Sequence, residues 1–577
     1  MSRNLKDVDI ANILEESIHD EFDDSGSEFD DDKEVIEEDL YSSDSEQSGL
    51  EDEGEIQPSV AQEDHDYRFY IGKDNESLWI SEPPAVTKAK SKNIIKVLPG
   101  PKATAKNATE RTDAFSLFIT NEMLDQIVQH TNRYIAKKRN NVDYSRERDC
   151  KDTSKAEIKA LLGALFLIGI KKGGHTNVCE LWETDGTGMI TLRALFSYKR
   201  FRFLLRALRF DNIDTREIRS ETDKLAPIRE FHEKFVKNCL AHFNVSEFVT
   251  IDEMLHPFRG RCGFIQYIPN KPAKYGLKIY ALCDAKTFYT LNLEVYCGKQ
   301  KPGPFLRSNK PDDIVKRLVK PIEKSKRNLT TDNYYTSYPL AEYLLQKGLT
   351  FLGTMKKNKR EIPLEFQAHP RREIGSTIFG FQEEFCLTSS VPKKNKSVII
   401  LSTMHDSPEI DNETKKSVVN LDYNVTKIGV DVVDQMCASY TTARSSRRWS
   451  LSLFYRLLDV AGINSNIIYK FNNPDLVEKR RVYLKNLAFS LMEDRLKERA
   501  AVASLPKDLQ VFLTKHKPVE YQQNLPERRG ICHVCGKHKN NRSKILCQNC
   551  AKNVCKNHCQ MTALCINCQN QDAMEVD

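Results

Sequence analysis

The chain has 577 residues, with 87 Lys and Arg against 81 Asp and Glu and a formal net charge of +6. It is long enough for several domains with sizeable cores, and no apolar run in it is long enough to span a bilayer. Its polar, acidic start lacks the features of a secretory signal, so the expectation is a soluble intracellular protein with no membrane association. The charge is uneven. Residues 1–66 hold 25 acids and only Arg3, Lys6 and Lys33 as bases, a net of −22, which leaves +28 on the rest. A body that basic points to a polyanionic partner, nucleic acid being the simplest, against the plainer alternative of a lysine-rich solvated surface. Eight of the 16 cysteines lie from Cys532 onward. The other eight show no pairing pattern, as expected of reduced core thiols.

In chain order, residues 1–111 read as a disordered acidic tail and a basic linker, KAKSKNIIKVLPGPKATAK (88–106). The linker suits a nuclear-import signal, an arm along a DNA backbone or a plain tether. Residues 112–248 read as mainly helical. TSKAEIKALLGALFLIGIKK is a core helix, with Ser154 and Glu157 spaced as a capping box. SYKRFRFLLRALRF (197–210) has an apolar core face, and its Lys199, Arg200, Arg202, Arg206 and Arg209 are candidates to line a nucleic-acid groove.

From 248 the texture changes to strands: FVTID, YGLKIYALCD and FYTLNLEVY, with a Pro and Gly turn between the first two. A helix over 312–324 follows, then a short strand ending at Asp332, a helix YPLAEYLLQKG and a strand LTFLGTM. That order predicts a ribonuclease H-like α/β catalytic core over 249–358, in which a fourth strand lies beside the first. Residues 359–420 read as a β-rich insertion and 421–440 as the last helix of the core. Helices return over 441–525, as the second part of a split helical domain. A short cysteine-rich module occupies 530–570. The fold class is therefore multidomain α/β.

Three separated segments end in or contain acids: Asp252, Asp332 and Asp431. Asp434 lies one helical turn after Asp431, on the same face. Taken singly, an Asp at a strand end is more often a turn or cap residue. Gathered, carboxylates repel one another and persist where a cation binds them. Mg²⁺ (or Mn²⁺) prefers such oxygens, and two such ions about 3.5–4 Å apart can activate a water or 3′-hydroxyl for in-line displacement. Glu253 points to the opposite strand face and reads as a structural salt-bridge partner. Arg259 and Arg261 suit DNA phosphates or charge balance for the acids, and the KKNKR run with Lys356, Lys359 and Arg360 and the RSSRRW run with Arg447, Arg448 and Trp449 suit a DNA backbone. Trp449, Tyr334 and Tyr335 could stack on unpaired bases, with a core aromatic as the alternative for Trp449.

The tail holds four ligand pairs: Cys532/Cys535, Cys547/Cys550, Cys555/His558 and Cys565/Cys568. Tight pairs of this kind suit structural Zn²⁺, and eight ligands imply two ions. The short spacer between the second and third pairs favours a cross-brace, with pairs one and three on one ion and pairs two and four on the other. Cys559 is a ninth candidate. Lys537, Lys539, Arg542 and Lys544 suit contact with DNA.

TIDEMLHPFRGRCGFIQYIPNKPAKYGLKIYALCD, TTDNYYTSYPLA, FLGTMKKNKREIP and GVDVVDQMCASY resemble the piggyBac family of DNA transposases, over about residues 112–570. The resemblance implies a catalytic triad of Asp252, Asp332 and Asp431, with the nearby acid Asp434 as a fourth catalytic residue, all four holding the Mg²⁺. It also implies a homodimer formed through the split helical domain, double-stranded DNA as partner, a tail that recognises the element's end repeats, and a nuclear location. The implied reaction is cut-and-paste: a nick at the element's end, a hairpin on a TTAA overhang, and joining to a TTAA target. A domesticated DNA-binding protein of the same fold is the alternative. A zinc-finger chromatin reader or ubiquitin ligase would leave the aspartate motifs unexplained.

Overall fold

The computed structural model describes residues 37–38, 68–83, 91–141, 149–269, 271–517, 529–535, 539–545, 547 and 552–559. They divide into two units, 1–177 with 200–491 and 178–199 with 492–577. The first unit begins where composition argues against structure. Strands β1 (Phe69–Ile71) and β2 (Leu78–Ile80) pair antiparallel, and Trp79 is only 1% exposed. The expectation of a structureless segment over 1–111 therefore fails for this hairpin. Two apolar triplets and one large buried aromatic hold a hairpin when it docks on a larger sheet.

Helices α1 (Asn121–Asn141), α2 (Lys155–Ile170), α3 (Tyr198–Ala207) and α4 (Arg229–His242) follow. Helix α2 is buried almost all round, as an apolar helix without a polar face must be. Ser154 Oγ accepts from the Glu157 amide at 3.2 Å and caps it. The Glu157 carboxylate is buried and pairs with Arg200, while Thr153 Oγ1 donates to it at 2.9 Å. Arg200 and Arg209 are therefore core cations and not groove-lining residues. Arg209 is buried with its guanidinium 3.6 Å from the Tyr134 ring centroid.

The large sheet also contains β3 (Phe248–Pro257), β4 (Ile265–Tyr267), β5 (Tyr275–Asp284), β6 (Thr290–Val295), β7 (Asn328–Thr331), β8 (Thr350–Thr354), β9 (Thr377–Phe381), β10 (Cys386–Lys393) and β11 (Lys396–Ser402). They join one sheet with the two-residue strand Glu37–Glu38 at its edge. From that edge the order is β4, β5, β3, β7, β8, β11, β10, β9, β2, β1, with β6 paired to β5. Strands β3, β7 and β8 are mutually parallel, and β5 and β11 run antiparallel to their neighbours. The β-rich stretch after 358 thus extends the same sheet through β11. Strand β5 is buried along nearly its whole length, which explains its unbroken apolar reading.

Helices α5 (Pro311–Val319) and α6 (Tyr338–Gln346) supply the crossovers around β7. Helices α7 (Val418–Thr426) and α8 (Gly429–Ser439) lie against β3, and α9 (Trp449–Asn472) is buried for most of its length. Among the described residues, no helix is long and apolar enough to cross a membrane. In the second unit, Ile190–Leu195 meets Lys507–Leu513, with Arg193 and Asp508 paired at 2.9 Å. Its cysteine-bearing end contains a two-strand ladder, Gly530–Ile531 against Arg542–Ser543.

Candidate functional site

The register of two parallel strands brings the first two acids together. Asn328 to Thr331 pair in sequence with Phe248 to Ile251. One step further, Asp332 leaves β7 level with Asp252, which is not at a strand end as expected but midway along β3, and strand spacing is about 4.8 Å. Asp332 Oδ1 accepts from the Tyr334 amide at 3.0 Å, and its carbonyl accepts from Thr336 Oγ1 at 2.6 Å, which fixes the turn out of β7.

The third acid arrives on α8. Thr250 and Thr330 are paired positions on β3 and β7. Both grip the end of α7: Thr250 Oγ1 donates to the Thr426 carbonyl at 2.5 Å, and Thr330 Oγ1 to Thr426 Oγ1 at 2.8 Å. Helix α8 starts three residues later. Gly429 lets it come close, since a Cβ there would stand 2.7 Å from Thr250 Oγ1. This clamp presents Asp431 beside Asp252, with the Asp431 side chain 62% exposed.

Lys271, in the turn between β4 and β5, lies among these acids. Its Nζ donates to Asp431 Oδ1 at 3.2 Å and to the Glu253 carbonyl at 3.0 Å. Burial opposes its charge, but Asp252, Asp431 and Glu253 outweigh burial and hold its pKa above the ordinary lysine value. Burial, then the Glu253 carboxylate, pushes Asp252 well above the usual carboxylate range. Lys271 opposes this, and Asp332 and Asp431 add to it. Burial and Glu253 raise Asp332 to about 6, against the Tyr334 and Tyr335 amides and Lys356.

Glu253 thus differs from its expected role as a structural salt-bridge partner. Its carboxylate accepts from the buried Tyr335 hydroxyl at 3.2 Å and acts on both Asp252 and Asp332. Strand β7 ends at Thr331, and the segment that follows Asp332 brings the Tyr335 hydroxyl to Glu253. The set has the donor chemistry of a hard-cation site: carboxylate oxygens from separate elements, with a lysine ammonium among them. Among the described residues, however, only the cysteine cluster below has ligand atoms all within 4.8 Å of one another. The aspartates are gathered but not closed to that spacing.

Asp434, expected as a fourth catalytic and Mg²⁺-binding acid, takes a cation of the protein as its partner instead. Arg456 Nη1 on α9 stands 2.8 Å from its Oδ1. Arg456 Nε also donates to His256 Nδ1 at 3.1 Å, which leaves the His256 Nε2 proton for Ser452 Oγ at 2.9 Å. Burial, then Arg456, drives the His256 pKa well below normal and keeps the ring neutral. One guanidinium therefore links β3, α8 and α9. Nothing local in the sequence marks Arg456, which lies inside an apolar helix. Lys271 had a signal, a lysine in a turn following the acid strand.

The basic candidates divide. Arg259, Arg261 and Arg447 are exposed. They are brought together at Gly260, where a Cβ would stand 2.5 Å from the Arg447 carbonyl oxygen. Lys356 is half-buried, 6.0 Å from the Tyr334 ring centroid, and Lys359 and Arg360 follow in the same loop. Arg448 donates to the carbonyls of Arg206 at 3.0 Å and Leu208 at 2.6 Å, which cap the end of α3. Trp449 is 5% exposed and packs edge-on against Phe264. The DNA role expected of Arg448 and Trp449 is therefore corrected: one is a helix cap, and the other is a core aromatic with no ring face free for a base. Tyr335 is likewise buried.

In the second unit, Cys532, Cys535, Cys555 and His558 come together with their ligand atoms within 4.8 Å of one another, a set able to hold a metal ion. His558 Nδ1 lies 3.2 Å from Cys535 Sγ and 3.4 Å from Cys555 Sγ. Burial of Cys532 favours its thiol, but the Cys535 and Cys555 amides and the His558 ring outweigh this and bring its pKa down to about 5. A thiolate is what a zinc ligand must be. Of the other four expected ligands, Cys550, Cys565 and Cys568 lie outside the described residues, and only Cys547 is within them.

A family model described as Transposase IS4 matches residues 111–466. PiggyBac transposable element-derived protein 3 of Homo sapiens is 23% identical over 260 residues, 44% of this chain and 41% of that protein. The chimeric ERCC6-PGBD3 protein of Homo sapiens is 23% identical over 260 residues, 44% of this chain and 23% of that protein. The matched stretch thus spans less than half of either relative's own length. The cryo-EM structure of a piggyBac transposase synaptic complex with hairpin DNA is 33% identical at a TM-score of 0.70, over 82% of this chain and 100% of that one.

Proposed function

Because the chain belongs to the piggyBac family of DNA transposases, we propose that it is a cut-and-paste transposase that excises an element through hairpin intermediates and inserts it at TTAA targets. The carrying observation is the register that sets Asp252 and Asp332 side by side, with Asp431 brought to them on α8. In this reading Asp252, Asp332 and Asp431 would hold Mg²⁺ or Mn²⁺, and the chemistry such ions would supply is activation of a water and stabilisation of a leaving oxygen. Asp434, tied to Arg456, orients the helix that carries Asp431. The sheet order β6-β5-β3-β7-β8, with crossovers around β7, supports a ribonuclease H-like core.

Arg259, Arg261 and Arg447, with Lys356, Lys359 and Arg360, line the approach for the phosphate backbone. The cysteine-rich module holds two structural Zn²⁺ ions and reads the element's end repeats. The protein acts as a homodimer on double-stranded DNA in the nucleus. The similar piggyBac transposase was solved as a synaptic complex with hairpin DNA, which supports the hairpin route.

The test is an excision assay with a reporter flanked by the element's own ends. The proposal requires excision by the wild-type chain and its loss in Asp252→Asn, Asp332→Asn and Asp431→Asn. Binding of those ends without any excision would instead make the chain a DNA-binding protein on a transposase fold.

A further inference from the structure

We propose that the hairpin β1–β2 is a brace for the basic loop 356–363, and that Trp79 is a positioning residue for DNA binding. This rests on the reading of Lys356, Lys359 and Arg360 as phosphate contacts. The hairpin takes hold of the loop through its backbone. Lys73 Nζ donates to the Lys357 carbonyl at 2.9 Å, the Asp74 amide to the Arg360 carbonyl at 3.0 Å, and Trp79 Nε1 to the Glu361 carbonyl at 2.9 Å. Gly72 bridges Pro363. The approach is close enough to need glycine, since a Cβ on Gly72 would lie 2.7 Å from Asp74 Oδ1 and 3.0 Å from the Glu361 carbonyl oxygen.

The same tryptophan reaches the segment that carries an acid. Its ring meets Tyr338, at the start of α6 and six residues after Asp332, edge-on at 6.3 Å. Gln382 joins the two, donating to the Leu78 carbonyl at 2.9 Å and accepting from the Tyr338 hydroxyl at 2.9 Å. On the loop's other side, Lys356 faces Tyr334 and opposes the raised pKa of Asp332. A loop with three carbonyls pinned has few conformations to lose on binding, so its cations meet the backbone already arranged. The braced loop contributes to affinity through preorganisation, and the hairpin makes that contribution without touching DNA.

The experiment measures binding of the full chain to duplex DNA by fluorescence anisotropy over a series of salt concentrations, with melting temperature recorded alongside. The variants are Trp79→Ala, the milder Trp79→Phe, which keeps a ring but loses the N–H, Gly72→Ala, and a Lys356/Lys359/Arg360→Ala triple. Each phosphate contact contributes about 0.9 to the slope of log affinity against log salt. The triple variant is expected to flatten that slope by about 2 to 3, and Trp79→Ala by about 1 to 2. Trp79→Phe and Gly72→Ala should move the same way by less. An unchanged slope in the triple variant overturns the reading of the loop. A flattened slope in the triple with an unchanged slope in the Trp79 and Gly72 variants overturns the brace, even if their melting temperatures fall.

Discussion

Lys271 Nζ stands 3.2 Å from Asp431 Oδ1, so the turn after the first acid strand reaches across to the helix that carries the third acid. The same ammonium donates to the Glu253 carbonyl, next to Asp252. A fixed cation in a carboxylate cluster plays two parts. It relieves repulsion when no metal is bound, and it opposes a metal's charge when one is. Lys271→Ala is expected to lower the melting temperature in chelator. A loss of about 1 kcal/mol, the scale of a half-exposed pair, corresponds to roughly 2 °C. Mg²⁺ should raise the variant's melting temperature by more than it raises that of the wild type. Thermal melts with and without Mg²⁺ check both.

Arg456 ties together Asp434, His256 and, through His256, Ser452. Arg456→Met would leave Asp434 facing a low-dielectric wall without its cation. Breaking one side of a buried pair costs about 3–5 kcal/mol, which denaturant unfolding can read. Arg456→Lys should recover only part of this, because an ammonium cannot reproduce the fork that serves both partners.

Asp332 offers a pH signature. Its folded pKa is raised to about 6, so the folded state holds a proton that the unfolded state releases near the ordinary value of 3.8. Its contribution in the metal-free protein therefore favours folding at low pH and declines as pH rises to about 6. Subtracting the Asp332→Asn melting curve from the wild-type curve should show that decline in EDTA. With Mg²⁺ the dependence should reverse, since the metal takes the deprotonated form: metal binding weakens as pH falls below about 6.

For the cysteine cluster, the expectation is two zinc equivalents per chain. Cys535→Ser and Cys555→Ser should each release the ion held by Cys532, Cys535, Cys555 and His558 and keep the other. Metal analysis of the purified variants gives the count. A chain without bound zinc, or one that keeps both ions in these variants, would refute the assignment.

Much of the acid site is legible in the chain because short apolar and β-branched runs lead into its acids. NLTT does end its strand before Asp332, whereas β3 continues past Asp252 to Pro257 through MLH, so that acid is level with Asp332 by parallel register and not by a shared strand end. The helix placing Asp431 and Asp434 one turn apart is legible too. Their fates are not, because neighbours on one helix face meet different walls: Lys271 for one and Arg456 for the other. Arg448 and Trp449 illustrate the limit of composition. A basic and aromatic cluster suits DNA, but a free carbonyl end at α3 and a core site at Phe264 claim them first. The hairpin did leave a signal, FYI and LWI around the turn residues Asp74 and Asn75. The acidic composition around it hides that signal until the loop it grips is seen.

The central claim, that Asp252, Asp332 and Asp431 form one metal-dependent cutting site, is tested most directly by nicking of end-repeat duplex by the purified chain in Mg²⁺. The account predicts nicking by the wild type, none in EDTA, and background levels in Asp252→Asn, Asp332→Asn and Asp431→Asn, with DNA binding retained. Wild-type nicking in any of the three variants would contradict it.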